Sequence, residues 1–257
     1  MKAMTDTKVP FMGLNFDNLD LTGALERIEQ FIAERKRRMI FTPNVALLVW
    51  SRRDRFLKDT YDRCDMLTVD GVAICYAMRI LGIPLKTSPS ASLMFYPLFQ
   101  LSQDKGYRIF MVGAQENVVS TAVANLREQY PGAQIVGYHH GYFDMENPPA
   151  ELITEIQETN PDLLLLGMAT PYKERFVVSN FERMNVPVSL GVGGMFDIAA
   201  GEAQFAPVWI RKLALEWLYR LLQEPRRMWK RYLTTNTAFL CLFAAEFVKR
   251  RILFIRE

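Results

Sequence analysis

Short apolar runs punctuated by Gly, Pro, Thr and Asp alternate with longer amphipathic stretches through the first two hundred residues, and this rhythm leaves few folds open. The runs Arg38 to Thr42, Met66 to Val69, Arg108 to Val112, Gln134 to Tyr138, Asp162 to Gly167 and Val186 to Val192 have the length and β-branched or aliphatic content of buried strands. Between them the apolar spacing predicts helices over Leu21 to Arg37, Val45 to Cys64, Val72 to Leu81, Ser90 to Lys105, Gln115 to Tyr130, Ala150 to Glu158 and Tyr172 to Met184. Strand and helix in strict alternation imply an α/β fold, Rossmann-like, with a mostly parallel sheet flanked by helices. The chain is long enough, and at 50% hydrophobic residues apolar enough, to bury a substantial core.

Ligands of such sheets bind beyond the carboxyl ends of the strands, so the residues that follow each strand are the candidates for a site. They are Thr42, Pro43 and Asn44, then Asp70 and Gly71, Gly113 and Ala114, Gly141 to Phe143, Ala169 to Pro171, and last Gly193, Gly194 and Asp197. Asp70 is the one carboxylate that ends a strand and precedes a Gly and a helix. There it faces a cleft as a general base or serves as a helix N-cap, and spacing alone leaves both readings open.

Several chemistries are excluded by the letters. Gly191-Val192-Gly193-Gly194-Met195-Phe196 lacks the third glycine of a dinucleotide fingerprint, and neither a Walker loop nor a Gly-x-Ser-x-Gly elbow occurs. Cys64, Cys75 and Cys241 are scattered thiols without zinc spacing and suit a reducing compartment. His139 and His140 are adjacent, so their side chains diverge in an extended segment and do not share a metal. There is no Asp-x-Asp pair to hold a divalent ion against a nucleotide diphosphate. No cofactor and no metal are therefore expected, and a diphosphate would have to be met by amides, helix ends and basic side chains.

Charge is distributed unevenly. Residues 205–257 carry eleven Lys/Arg against four Asp/Glu, a net of +7, and the rest of the chain has a net of −4. A basic tail on an acidic body implies an anionic partner. Trp209, Leu213, Trp217, Leu221 and Leu222 recur at helical spacing, and Pro225 separates one helix ending near Gln223 from a second beginning near Arg226. Arg226, Arg227, Lys230 and Arg231 beside Met228, Trp229 and Tyr232 suit a lipid headgroup layer, where rings lie at the interface and cations meet phosphates. The alternatives are an amphipathic helix packed on the core and a phosphate-tracking nucleic-acid surface, for which no recognisable motif is present. The longest apolar run, Thr237 to Val248, contains Glu246 and is shorter than the roughly 20 residues a transmembrane helix needs. The N-terminal segment has no apolar core followed by small residues, so no secretion signal is expected. Expected organisation is a catalytic α/β domain over 1–204 and a helical membrane-binding appendage over 205–257, in a cytoplasmic protein peripheral to the inner face of the cell membrane.

The segments Thr42-Pro43-Asn44, Asp70-Gly71, Gly141 to Phe143, Gly191 to Gly201 (GVGGMFDIAAG) and Ala206 to Leu233 (APVWIRKLALEWLYRLLQEPRRMWKRYL) together resemble the WecG/TagA/CpsF glycosyltransferases over nearly the whole chain. The resemblance implies an inverting, metal-independent transferase that moves a hexose or N-acetylhexosamine, such as N-acetylmannosamine or glucose, from a UDP-sugar to an undecaprenyl-diphosphate-linked sugar in cell-surface polysaccharide synthesis. It implies Asp70 as general base, with Thr42 and Asn44 lining the same pocket, and Arg220, Arg226, Arg227 and Arg231 as the groups that meet the donor diphosphate. Gly71, Gly113, Thr170, Lys173, Glu174, Gly193, Gly194 and Asp197 complete the expected substrate-binding set. Its implied partners are the UDP-sugar, the lipid-linked acceptor, an anionic membrane surface and a homo-oligomer, with no nucleic acid. A catalytically inactive, membrane-associated binding protein of a polysaccharide assembly complex is the alternative.

Two departures bear on specificity. Lys86 to Ser92 (KTSPSAS) replaces the family's ERV segment and Gly-Ser-Asp-like turn, and Lys173 stands where the family tends to have Gln. Both fall where a sugar would be read, so they imply a divergent specificity or, as the second reading, lost activity; Asp70, Thr42, Asn44 and the basic tail favour the first.

Overall fold

Leu163–Gly167 is the clearest strand in the chain because it has no polar residue to give to solvent, and Leu163, Leu164, Leu165 and Leu166 are all fully buried. A strand buried on both faces belongs in the middle of a parallel sheet with helices above and below. The computed structural model describes residues 8–86, 89–207, 209–210, 213, 215–223 and 225–252, with only the backbone of residues 220, 227–228 and 251–252. In it this strand, β7, lies fourth in a six-stranded sheet.

The sheet comprises β3 (Arg38–Phe41), β4 (Met66–Leu67), β5 (Arg108–Gly113), β6 (Gln134–His139), β7 (Leu163–Gly167) and β8 (Val188–Gly191) in the order β4-β3-β8-β7-β5-β6. Every pairing is parallel. Alternate residues feed the two faces. Ile109, Met111, Leu163 and Leu165 pack with α1 (Leu21–Glu34), α5 (Ala91–Lys105), α6 (Glu116–Gln129) and the short α9 (Met195–Ala199). Phe110, Val112, Leu164 and Leu166 pack with α2 (Val45–Ser51), α3 (Arg55–Arg63), α4 (Val72–Ile80), α7 (Ala150–Thr159) and α8 (Tyr172–Met184). The expected Rossmann-like α/β architecture is what forms.

Local differences have local causes. The single helix expected over 45–64 is two, because Asp54 caps α3 by accepting from the Leu57 amide at 3.2 Å and the chain turns at residues 52–54. A short antiparallel hairpin, β1 (Lys8–Phe11) and β2 (Leu14–Asp17), precedes the first expected element. Its turn residues Met12 and Gly13 both have positive φ, the backbone a two-residue hairpin needs. Buried Asp17 ties this hairpin to the sheet by accepting from the Leu67 amide at 2.8 Å.

The tail forms α10 (Glu216–Gln223) and α11 (Pro225–Phe247), followed by one π-helical turn over Val248–Ile252. Pro225 is the first residue of α11, where its missing N–H costs no helical hydrogen bond. Phe239 of α11 is buried, and Ala238, Leu242, Phe243 and Phe247 pack beside it on the same core as α2. That half of the apolar tail therefore covers the protein's own core.

Candidate active site

The carboxyl ends of the strands form a row, and the expected residues fall along it. The pairing of β3 with β4 continues beyond the strands: the Thr68 amide donates to the Phe41 carbonyl and the Asp70 amide to the Pro43 carbonyl, both at 3.1 Å. These bonds set Asp70 beside Thr42, Pro43 and Asn44. Thr42 is buried, while Asp70 and Asn44 are half-buried at the rim. Asn44 is the N-cap of α2; its Oδ1 accepts from the amides of Ala46 (3.1 Å) and Leu47 (3.3 Å). A cap of this kind is worth about 1 kcal/mol, so Asn44 has a structural duty in addition to any contact its Nδ2 makes.

Gly71, not Asp70, occupies the N-cap position of α4, and no side chain supplies that cap. Gly71 adopts φ +104°, a left-handed value that favours glycine, and a Cβ there would meet nothing within 4 Å. The capping alternative for Asp70 thus loses its position to the next residue.

Further along the row, β7 is followed by Thr170, Lys173 and Glu174, which form one cluster with a residue the sequence did not single out, Tyr61 of α3. Glu174 is completely buried and its Oε1 takes donors from the Lys173 Nζ at 2.8 Å, the Thr170 hydroxyl at 2.9 Å and the Tyr61 hydroxyl at 3.0 Å. Lys173 Nζ also donates to Thr170 Oγ1. Glu174 Oε2 is buried and has no hydrogen-bond partner among the described residues. Burial, followed by the adjacent Glu174 carboxylate, pushes the Tyr61 phenol well above the ordinary tyrosine range.

The Lys173 stem reaches this position over Gly191 at the end of β8. A Cβ on Gly191 would sit 2.9 Å from Lys173 Cδ and 3.3 Å from Phe41 Cδ1. The cluster therefore lies under the ends of β3, β8 and β7, next to the residue that precedes Thr42. Tyr61 also packs its ring against Phe41, with centroids 5.9 Å apart.

Gly113 ends β5 where outgoing connections of neighbouring strands diverge, β5 toward β6 and β7 toward β8, the kind of switch point at which open α/β sheets bind ligands. Its φ is +148°, and a Cβ would come 2.4 Å from the Gly167 carbonyl oxygen, so this glycine lets two backbones meet. Gly193 and Gly194 lead from β8 into α9, where the Asp197 carbonyl accepts from the Glu202 amide at 2.9 Å. Among the described residues no group of three or more His, Cys, Asp or Glu side chains is placed to hold a metal ion.

The basic residues of the tail divide. Arg231 lies with its guanidinium 5.3 Å from the ring of Trp50, on α2, the helix that Asn44 caps, and 5.9 Å from the ring of Tyr232. Arg226 is exposed on the first turn of α11, and no contact among the described residues brings it to the strand ends. The side chains of Arg220 and Arg227 lie outside the described residues, as do Thr87 and Ser88 of the divergent Lys86 to Ser92 segment.

Comparison with known proteins supplies the family. The chain is similar to the N-acetylglucosaminyldiphosphoundecaprenol N-acetyl-beta-D-mannosaminyltransferase of Bacillus subtilis (strain 168), with 28% identity over 96% of this chain and 93% of that protein. Proteins of the same name from Staphylococcus aureus strains MW2 and NCTC 8325 / PS 47 are each 26% identical, over 95% of this chain and 94% of theirs. The profile of the WecG/TagA/CpsF glycosyl transferases matches residues 9–252, and the chain belongs to that family.

Proposed function

We propose that this protein transfers an N-acetylhexosamine or hexose from a UDP-sugar to an undecaprenyl-diphosphate-linked sugar, with inversion at the anomeric carbon and without a metal ion. The observation that carries the reading is Asp70: a half-buried carboxylate at the carboxyl edge of a parallel sheet, joined to the Thr42–Asn44 turn through the Pro43 carbonyl, with the neighbouring cap position taken by Gly71. In the proposed reaction Asp70 accepts the proton of the acceptor hydroxyl as its oxygen attacks the anomeric carbon. The bond from that carbon to the diphosphate oxygen breaks with its electron pair, and UDP leaves.

Charge developing on the departing diphosphate needs cations in a site that excludes water. Arg220, Arg226, Arg227 and Arg231 are assigned that part, because bidentate guanidinium contacts to phosphate are strong and directional. The absence of an Asp-x-Asp pair from the sequence supports a metal-free mechanism. Residues 1–204 are assigned as the catalytic domain and 205–257 as the membrane-binding appendage. No helix among the described residues is long and apolar enough to cross a membrane. The assigned place is the cytoplasmic face, with the tail resting on anionic lipid.

The names of the relatives support an N-acetylmannosaminyl donor and an N-acetylglucosaminyl-diphosphoundecaprenol acceptor as the first pair to test. Incubation with UDP-N-acetylmannosamine, UDP-N-acetylglucosamine or UDP-glucose and a short-chain lipid-diphosphate acceptor should give a disaccharide lipid and UDP from at least one donor. Consumption of none would favour the non-catalytic binding protein.

A further inference from the structure

Of the four side chains in the Glu174 cluster, three are sealed: Glu174 is 0% exposed, Tyr61 2% and Lys173 7%. Thr170 alone is half-buried, on the turn that leaves β7 at the carboxyl edge. Among the described residues Thr170 is the most accessible member of the cluster, and so the one that a molecule bound at this edge would touch first.

The hydrogen bonds of Thr170 fix what it can offer. Its hydroxyl proton goes to Glu174 Oε1 at 2.9 Å, and its oxygen accepts from Lys173 Nζ. An ammonium group has only donors, and the carboxylate beside it only acceptors, so neither bond can be reversed. The Tyr61 hydroxyl also lies beside Thr170, but its proton goes to Glu174 Oε1 at 3.0 Å, so it donates nothing to Thr170 and one lone pair of the Thr170 oxygen remains. A hydroxyl is ordinarily a donor or an acceptor as the ligand requires; this one is held as an acceptor. A phosphate or carbonyl oxygen placed there would meet lone pair against lone pair, whereas an O–H or amide N–H would be bound.

We infer that Thr170 is a specificity-determining residue that accepts a hydrogen bond from a hydroxyl or acetamido N–H of the donor sugar. This inference rests on the glycosyltransferase reading above and deepens it: Thr170 faces the sugar and not the diphosphate. Lys173 acts as a positioning residue, since it occupies the second acceptor position of Thr170 and crosses Gly191 to do so.

The test is calorimetric binding of the full chain to UDP, to whichever of UDP-N-acetylmannosamine, UDP-N-acetylglucosamine and UDP-glucose it transfers, and to analogues of that donor each lacking one hydroxyl or the acetamido group. For the wild type, one deletion on the sugar should weaken binding roughly three- to tenfold, the range of a neutral hydrogen bond. Thr170→Ser should keep that discrimination. Thr170→Val should bind the full donor and that analogue alike, with UDP bound as by the wild type. Thermal melting identifies any variant that has not folded, and Thr170→Ser then still decides: loss of the discrimination with the hydroxyl in place overturns the inference. Undiminished discrimination by a folded Thr170→Val also overturns it, as does equal weakening of UDP and of UDP-sugar. A wild type that transfers sugar yet shows no such deletion overturns this inference alone; one that binds no UDP-sugar overturns the proposed function and this inference together.

Discussion

Lys173 Nζ lies 2.8 Å from Glu174 Oε1 with both side chains closed to solvent, so each charge is tolerable only because the other is there. Removing one partner of a buried ion pair leaves an uncompensated charge and costs about 3–5 kcal/mol, whereas replacing both is often close to neutral. Lys173→Met should therefore lower stability in urea by about that amount. The double variant Lys173→Met with Glu174→Gln should recover most of the loss. A double variant as unstable as the sum of its singles would show that the two side chains do not act as a pair.

Tyr61 gives the cluster a signature at high pH. Burial holds its phenol above the unfolded value, so the fold favours the protonated form. The stability this contributes is complete below the unfolded pKa of about 10 and is lost as pH rises above it, because only the unfolded chain then gains by releasing the proton. Alkaline titration followed by tyrosinate absorbance should show one tyrosine that ionises only as the protein unfolds. Tyr61→Phe should remove that tyrosine from the transition, and a Tyr61 that titrated before unfolding would contradict its burial.

Asp70→Asn should lower the transfer rate by about 10²–10⁴, the usual contribution of a positioned general base, in a protein that still folds. Gly71 holds the cap of α4, so loss of the Asp70 charge does not uncap a helix. An unchanged rate with a reduced melting temperature would return Asp70 to a structural role.

Much of this arrangement was legible in the chain itself. Leu163 to Leu166 and Ile109 to Val112 carry enough apolar length to be only central strands, and once the strands are placed the topology sends Thr42, Asp70, Gly113 and Thr170 to one edge. The Glu174 cluster was only half legible. Thr170, Lys173 and Glu174 are neighbours in sequence, but Tyr61 is 113 residues from Glu174 and sits on a helix whose pattern marks it merely as buried. The break in the expected helix over 45–64 turned on a single capping carboxylate, Asp54, which amphipathic spacing does not register. For α11 the difficulty was different. Its apolar residues serve two surfaces, the protein's own core through Phe239 and the outside through Leu240, and one helical period cannot say which is which.

Docking of α11 should be a local, separable event. Phe239 is 7% exposed within the core shared with α2, and Arg231 lies over Trp50 on the same helix. Phe239→Ala should cost about 3–5 kcal/mol of packing, and Trp50→Ala about 0.5–2 kcal/mol from the lost cation–π contact in addition to ring burial. Hydrogen exchange should show the α11 amides losing protection in both variants while those of β5 and β7 keep theirs. Simultaneous loss of protection in the central strands would mean that α11 is integral to the global fold.

The first half of α11 presents a different surface, and membrane association should depend on it. Trp229 is 48% exposed and Leu233 62%, one turn apart on the same side, with Arg226 exposed nearby and Lys230 Nζ 5.5 Å from the Trp229 ring. Cations worth about 1 kcal/mol each near an anionic leaflet make Arg226 and Lys230 together worth about 2 kcal/mol, or roughly thirtyfold in binding. Arg226→Ala with Lys230→Ala should reduce sedimentation with phosphatidylglycerol vesicles by about that factor. The wild type should lose its advantage in high salt, where surface charges are screened. Trp229→Ala should weaken binding in low and high salt alike, because its contribution is burial of a ring at the interface. Equal binding to neutral and anionic vesicles by all of these proteins would assign the exposed stripe to another partner.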